Sequence, residues 1–372
     1  MSPLFEASHS ASREPRQGEH LDKLMFFILY KAFPVNNLYK IFTGKMMRLS
    51  TLLIVFIGVA ACWPGDGGGV SGFRVALLTP GPISDQSWNA SAFTGLMRIR
   101  DSLTAQTSHI QVKTPADFEE NFRQYGASGY SLVIGHGFEF QDAASRVASS
   151  YPATVFVTTG GETVRPNVAA LSFAFDEPSF LAGMAAAAAS KTGIVACVGG
   201  TELPPVKASF AAFVAGARLM RPDVRVIVAY LGNWDDTGAG KEQALALIQQ
   251  RVDVIFQNAD AAGLGVFQAA REREGVLVIG SNTNQNSLAP ASTIGSVVVD
   301  VPLAFLLVAK EVHAKTFTAR IIRFGTPDGV VRWEPSPVFG QRVARAQQQR
   351  IDSVQTVMRS GSFTKPPSPS PR

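Results

Sequence analysis

The sequence predicts an α/β protein of two lobes, each built on an open parallel sheet. Three observations predict it. From residue 73 onward, short β-rich runs alternate with turns and helix-length stretches. Runs such as Leu132-Val-Ile134 and Val252-Asp-Val-Ile-Phe256 suit strands covered on both faces by crossover helices. Ten strand candidates over about 270 residues fit two open sheets better than one closed eight-stranded barrel, the alternative fold.

Composition sets outer limits on function. The chain has 372 residues, enough for two lobes at roughly 100–200 residues per domain. With 46% hydrophobic and 17% charged residues it is neither a disordered chain nor a long coiled coil. Two cysteines exclude a disulfide scaffold and a Cys-rich zinc module. The net charge of +5 raises the question of a polyanion partner. Many basic residues sit at the ends, among them Arg13, Arg16, Lys23, Arg342, Arg345 and Arg350, so nucleic acid is not an expected partner.

In chain order, the first feature is an 18-residue segment. Lys45 and Arg48 precede an apolar run from Leu49 to Ala61, about a dozen residues long, which suits a signal-peptide core better than a membrane span. Val59-Ala60-Ala61-Cys62 resembles a lipobox, in which small residues precede a cysteine that becomes diacylated. Residues 46–61 are therefore expected to be a lipoprotein signal, Cys62 the lipidated residue, and the glycine-rich 62–72 a flexible tether. A short membrane anchor with an incidental cysteine is the alternative. Residues 1–45 are expected to be a disordered leader from an upstream start, since Met46 and Met47 lie where such a signal should begin.

Strands are expected at 73–79, 109–113, 131–135, 154–159, 168–173, 193–198, 225–230, 252–257, 276–279 and 292–299. Helices are expected between them, at 87–102, 116–126, 143–149, 179–190, 209–220, 240–250, 263–274 and 302–313. The expected partition is 73–190 with 283–312 in one lobe and 191–282 with 313–345 in the other. Residues 346–372 are expected to be a tail that adds nothing to a core, disordered at its Pro/Ser-rich end. Cys197 lies in an apolar strand and is expected to be packing.

In open sheets ligands bind beyond the carboxyl ends of the strands. After the first strand come Asp85, Ser87, Trp88, Asn89 and Phe93, where Asp85 or Ser87 caps a helix and an aromatic stands beside an amide. Later strand ends offer Trp234 with Asp235 and Asp236, then Asp260, then Asn282, Asn284 and Gln285. An aromatic sandwich with a polar rim suits a nucleoside-like ligand. His136, in Ile134-Gly-His-Gly-Phe138, is a secondary candidate, with a turn histidine at the cleft edge as the equal alternative.

Asp85-x-x-Trp88-Asn89-x-x-Ala92-Phe93-x-Gly95 resembles the opening motif of the basic membrane protein (BMP) family. Phe180-Leu-Ala-Gly-Met184, Val198-Gly-Gly200, Phe213-x-x-Gly-Ala217, Trp234-Asp-Asp with Gly240-Lys-Glu, and Asp253-Val-Ile-Phe-Gln257 through Gly265 are similar to it too, over about 73–335. The resemblance implies a type I periplasmic-binding-protein fold, two Rossmann-like lobes on a hinge. It also implies a lipid-anchored, extracytoplasmic binding protein of an ABC importer, with purine nucleosides as ligands and a permease as partner. On it, Asp85 and Asn89 would contact the base, Trp88 or Phe93 would stack on it, and Trp234 would close the other face. The family's ribose-binding aspartate falls at Asn282 and a second acid at Asn284, and the lysine often found after the next strand is missing at Val297-Val-Val-Asp300. An amide holds a hydroxyl less strongly than a carboxylate does, a loss that Asp260 would offset.

No enzyme motif competes. Gly263-x-Gly265 lacks a third glycine, there is no G-x-S-x-G elbow, P-loop or H-E-x-x-H, and the 5 histidines have no metal spacing. The expectation is a monomeric, non-catalytic binding protein without cofactor or metal. The alternatives are a cytoplasmic α/β enzyme, or a ligand-sensing regulator sharing the two-lobed fold.

Overall fold

The computed structural model describes residues 72–363. The expected leader 1–45, the signal 46–61, the lipidated Cys62, nearly all of the tether and the last residues of the tail lie outside the described residues.

Two six-stranded sheets form the body. The first holds β1 (Arg74–Thr79), β2 (Gln106–Gln111), β3 (Leu132–Gly135), β4 (Val155–Thr159), β5 (Val168–Phe173) and β11 (Ile321–Phe324). Their order is β11-β5-β4-β3-β1-β2, every pair parallel. The second holds β6 (Ile194–Gly199), β7 (Arg225–Tyr230), β8 (Val254–Asn258), β9 (Leu277–Asn282), β10 (Thr293–Val299) and β12 (Val331–Pro335), in the order β12-β10-β9-β8-β6-β7. Only β12 runs antiparallel, against β10. Both orders reverse direction at the first strand of the lobe, so each sheet has its switch point beside β1 or β6.

Helices cover both faces. The first lobe carries α1 (Trp88–Leu103), α2 (Pro115–Ala127) and α3 (Gln141–Val147). The second carries α4 (Asp176–Ala189), α5 (Pro204–Met220), α6 (Thr237–Gln249) and α7 (Asp260–Glu272). Helix α8 (Val301–His313) returns to pack on α1. Local chemistry sets their starts. Thr114 and Asp117 form a reciprocal capping box on α2, and Asp236 and Asp300 accept from the backbone N–H of Ala239 and Leu303. Helices α4 and α5 pack so closely that a Cβ at Gly183 would meet the carbonyl of Phe213, and one at Gly216 that of Phe180. Only glycine allows this approach, which accounts for two of the motifs singled out in the sequence.

The expected lobe partition needs correction. Helix α4 belongs to the second lobe rather than the first, because its nearly all-apolar surface is buried against α5 and the second sheet. Strand β10, expected in the first lobe, is buried along its whole length between β9 and β12. Strand β11, expected in the second lobe, extends the first sheet beside β5. The lobes are thus joined at residues 174–175, at 300 and at 325–330. These segments bond one another: Ala174 N donates to Phe324 O and Asp300 N to Val330 O.

The C-terminal stretch is also corrected. Beyond α9 (Pro337–Arg342), which lies in the second lobe as expected, the supposed tail forms α10 (Arg345–Arg359) and completes that lobe, with Ile351 and Met358 fully buried. Ile351, Val354, Gln355 and Met358 fall at helical spacing and cover the core beside α4.

A candidate ligand-binding cleft between the lobes

A cavity of about 660 Å3 lies where the strand ends of the two sheets face each other. That is within the roughly 300–1,000 Å3 of small-ligand sites. Trp88 and Asn89 line it from the start of α1, Trp234 from the loop after β7, Asp260 from the start of α7, and Asn282 from the end of β9. Asp85, Phe93 and His136 were expected beside them, and the structure places each elsewhere.

Asp85 is buried under the first turn of α1. Its carboxylate accepts from the backbone N–H groups of Ser87, Asn89 and Ala90 and from Asn89 Nδ2, at 2.8–2.9 Å. Free N–H groups at a helix start, with their positive end of the dipole, draw an acid there. Asp85 therefore positions Asn89 and has no acceptor to spare. Since Nδ2 of Asn89 faces Asp85, its Oδ1 is left as a buried acceptor without a partner.

Phe93 points away from the cleft. Five residues beyond Trp88, it lies about 140° around the helix and meets His109 of β2 edge-on at 5.5 Å. His136 lies fully buried beneath the cleft, stacked on Trp88 with centroids 4.0 Å apart and planes at 24°. Its Nε2 donates to the carbonyl of Trp88 at 3.1 Å, so Nδ1 accepts from the Thr159 hydroxyl at 3.2 Å. Burial pushes its pKa down to about 3, and the ring stays neutral. It is a rigid backing for the tryptophan.

Trp234 is backed differently. Its ring lies on Gly200 at the end of β6, where a Cβ would run into the indole. The cleft thus has one tryptophan from each lobe, each held flat against its own support.

Asp260, Asn282 and Ser87 join the lobes at the cleft floor. Asp260 Oδ1 accepts from Ser87 Oγ and from Asn282 Nδ2, both at 3.0 Å, and Asn282 Nδ2 lies 2.9 Å from Ser87 Oγ. Burial, then the nearby Asp85 carboxylate, pushes Asp260 up to about 8. Next to it, Thr283 Oγ1 and Gln285 Nε2 both donate to Gln86 O. At the rim Lys113 meets Asp235 at 3.6 Å across the lobes.

Glu139 also lines the cavity and went unnoticed in the sequence. It follows His136 in the 3-10 turn Phe138–Phe140, and an acid within a few residues of a switch-point strand was the signal. The lining is acidic, with Glu139, Glu162, Asp176, Asp235 and Asp260 against Arg323, which stands 3.8 Å from Asp176.

Residues 73–361 match the model of the Bmp family, described as ABC transporter substrate-binding protein, PnrA-like. The chain belongs to this family. It is a family of substrate-binding proteins of transporters rather than of enzymes. The chain is 31% identical over 263 residues to the ABC transporter nucleoside-binding protein BmpA of Lactococcus lactis subsp. cremoris, covering 66% of this chain and 75% of that one. It is 26% identical over 294 residues to the transcriptional activator protein med of Bacillus subtilis, covering 78% and 90%. In fold it is similar to a solute-binding protein of an ABC transporter system from Aeropyrum pernix K1, with a TM-score of 0.73 over 79% of this chain and 94% of that one at 22% identity. The type I two-lobed architecture, with two parallel-dominated sheets, is the fold of this Bmp member.

Proposed function

We propose that this Bmp protein captures a nucleoside or related heteroaromatic solute between Trp88 and Trp234 and hands it to an ABC importer. The observation that carries the reading is that these two indoles, one from each lobe, line a single cavity whose remaining side chains are rich in acceptors. Bases offer π faces for stacking, worth roughly 1–3 kcal/mol each, and their N–H and O–H groups suit an acidic lining. A phosphorylated ligand would meet that lining with like charge. The name of the Lactococcus relative supports the same reading. In this proposal the chain works as a monomer, tethered outside the cytoplasm through a lipid on Cys62, and closes by rotation about the three connecting segments.

Thermal-shift screening against nucleosides, free bases, riboflavin and sugars tests it. A ligand at a hundred times its Kd should stabilise the chain by about 2.7 kcal/mol. A shift with an unrelated solute and none with any nucleoside would overturn the ligand assignment. Incorporation of labelled palmitate that depends on Cys62 tests the anchor. The Bacillus relative favours a second reading, a ligand-sensing regulator. Absence of lipid together with ligand-dependent binding to DNA would support that reading instead.

A further inference from the structure

The acceptors of the cleft are not all used by the protein. Among the described residues Glu139 makes no ion pair and no hydrogen bond to another side chain. The carboxylate folds back over Gly137, where a Cβ would stand only 2.5 Å from Oε2, so the missing side chain at 137 makes its seat. Burial raises its pKa, and its own backbone N–H is the group that steadies its charge. The cleft cation, Arg323, stands at Asp176 instead. Independently, Asn89 is 2% exposed, lines the same cavity and carries an Oδ1 with no donor. A desolvated acceptor left unpaired costs about 1–3 kcal/mol, more when charged. A cavity lined by this unpartnered oxygen, and by a half-buried carboxylate that no other residue engages, calls for a ligand that brings the donors.

We propose that Glu139 determines specificity, its two carboxylate oxygens receiving an edge of two adjacent N–H donors such as the ring N–H and exocyclic amine of a guanine-type base, with Asn89 Oδ1 taking a further ligand N–H or O–H. A carboxylate meets paired parallel donors with two charge-assisted bonds, roughly twice as strong as neutral ones. Inosine lacks the exocyclic amine and adenosine lacks the ring N–H, so each leaves one oxygen unpaired. This inference rests on the nucleoside reading above and narrows it to one class of base.

Calorimetric titration of the full chain with guanosine, inosine and adenosine tests it. Guanosine should bind about tenfold or more tighter than either of the others, the fold-change expected for one charged hydrogen bond. In Glu139→Gln, which keeps the shape but offers one acceptor oxygen, that preference should shrink to about threefold or less, with stacking affinity for inosine retained. Glu139→Asp, which keeps the charge but withdraws it by one methylene, should show the same loss should the glutamine variant fail to fold. Equal binding of guanosine and inosine by the wild type, or an undiminished preference in both variants, would overturn the role of Glu139 and leave the nucleoside reading standing. Binding of none of the three would overturn both.

Discussion

Ser87 of the first lobe donates its hydroxyl proton to Oδ1 of Asp260 in the second, at 3.0 Å, with both side chains buried. The backbone around this joint is strained on both sides. Gln86, Asp260 and Asn282 have φ of 53°, 49° and 67°, a left-handed region that costs non-glycine residues roughly 1–2 kcal/mol each. The strain is held by bonds that cross the lobes: Ser87 to Asp260 and Asn282, and Gln86 O to Thr283 and Gln285. Contact between the lobes is therefore built on the cleft floor, next to the ligand cavity.

Replacing Ser87 by Ala removes that joint with little change in shape. Asp260 keeps Asn282 as donor but loses the hydroxyl. The expected cost is about 1–3 kcal/mol, the penalty for a buried polar group short of a partner. Urea denaturation reads it, and a midpoint unchanged from wild type would mean that the contact contributes nothing in solution.

Asp260 also gives stability a pH dependence. The fold raises its pKa from 3.8 to about 8, by burial first and the Asp85 charge second. Between these values the folded chain holds a proton that the unfolded chain has released. Its stabilising contribution is therefore complete below about pH 4 and is lost as pH rises through 8. Asp260→Asn has no proton to lose, so its melting temperature should fall less than that of wild type between pH 6 and 9. Parallel pH profiles for the two proteins would refute the assignment.

The sequence showed the fold and half of the cleft for identifiable reasons. Buried strands such as β3 and β8 announce themselves as apolar runs, and the carboxyl ends of β1, β7 and β8 brought Trp88, Trp234 and Asp260 to notice. Strand β12 stayed hidden because it alternates, Val331 and Trp333 facing inward and Arg332 and Glu334 partly outward, and charge masked the pattern. What a strand end cannot tell is direction around the following helix. That is why Phe93 and Trp88 looked interchangeable although they lie on different faces of α1. Nor does sequence reveal how a residue spends its bonds. Asp85 is consumed by the α1 amides, whereas Glu139, three residues from a histidine that drew attention, is bonded by no other described side chain.

Trp234→Ala should weaken binding of a stacking ligand by about 1–3 kcal/mol. Gly200→Ala tests the same surface from behind, since a methyl at 200 overlaps the indole and pushes it into or across the cleft. The expected pattern is a loss of affinity for both variants, with retained cooperative unfolding, measured by titration calorimetry and thermal melting. Full affinity in Gly200→Ala would show that the position of the indole does not matter to the ligand.

Helix α10 supplies a test of the corrected C-terminus. Ile351 is fully buried in the second lobe's core and Met358 is 1% exposed, while most of the helix's other residues are polar. If this helix only rested on the surface, truncating Ile351 would change stability by a few tenths of a kcal/mol, as exposed substitutions do. As a buried core position, Ile351→Ala should instead cost about 2–5 kcal/mol, the sum of lost apolar transfer and the cavity left behind. Arg350 on the same helix reaches Leu219 O at the end of α5, and Gln355 donates to the Trp333 carbonyl of β12, so the loss should loosen two neighbouring elements together. Hydrogen exchange would then show faster opening at α5 and β12 while the first lobe, whose core clusters contain no residue of α10, keeps its protection. A chain ending before residue 345 that melts like the full chain would place the helix outside the folding unit.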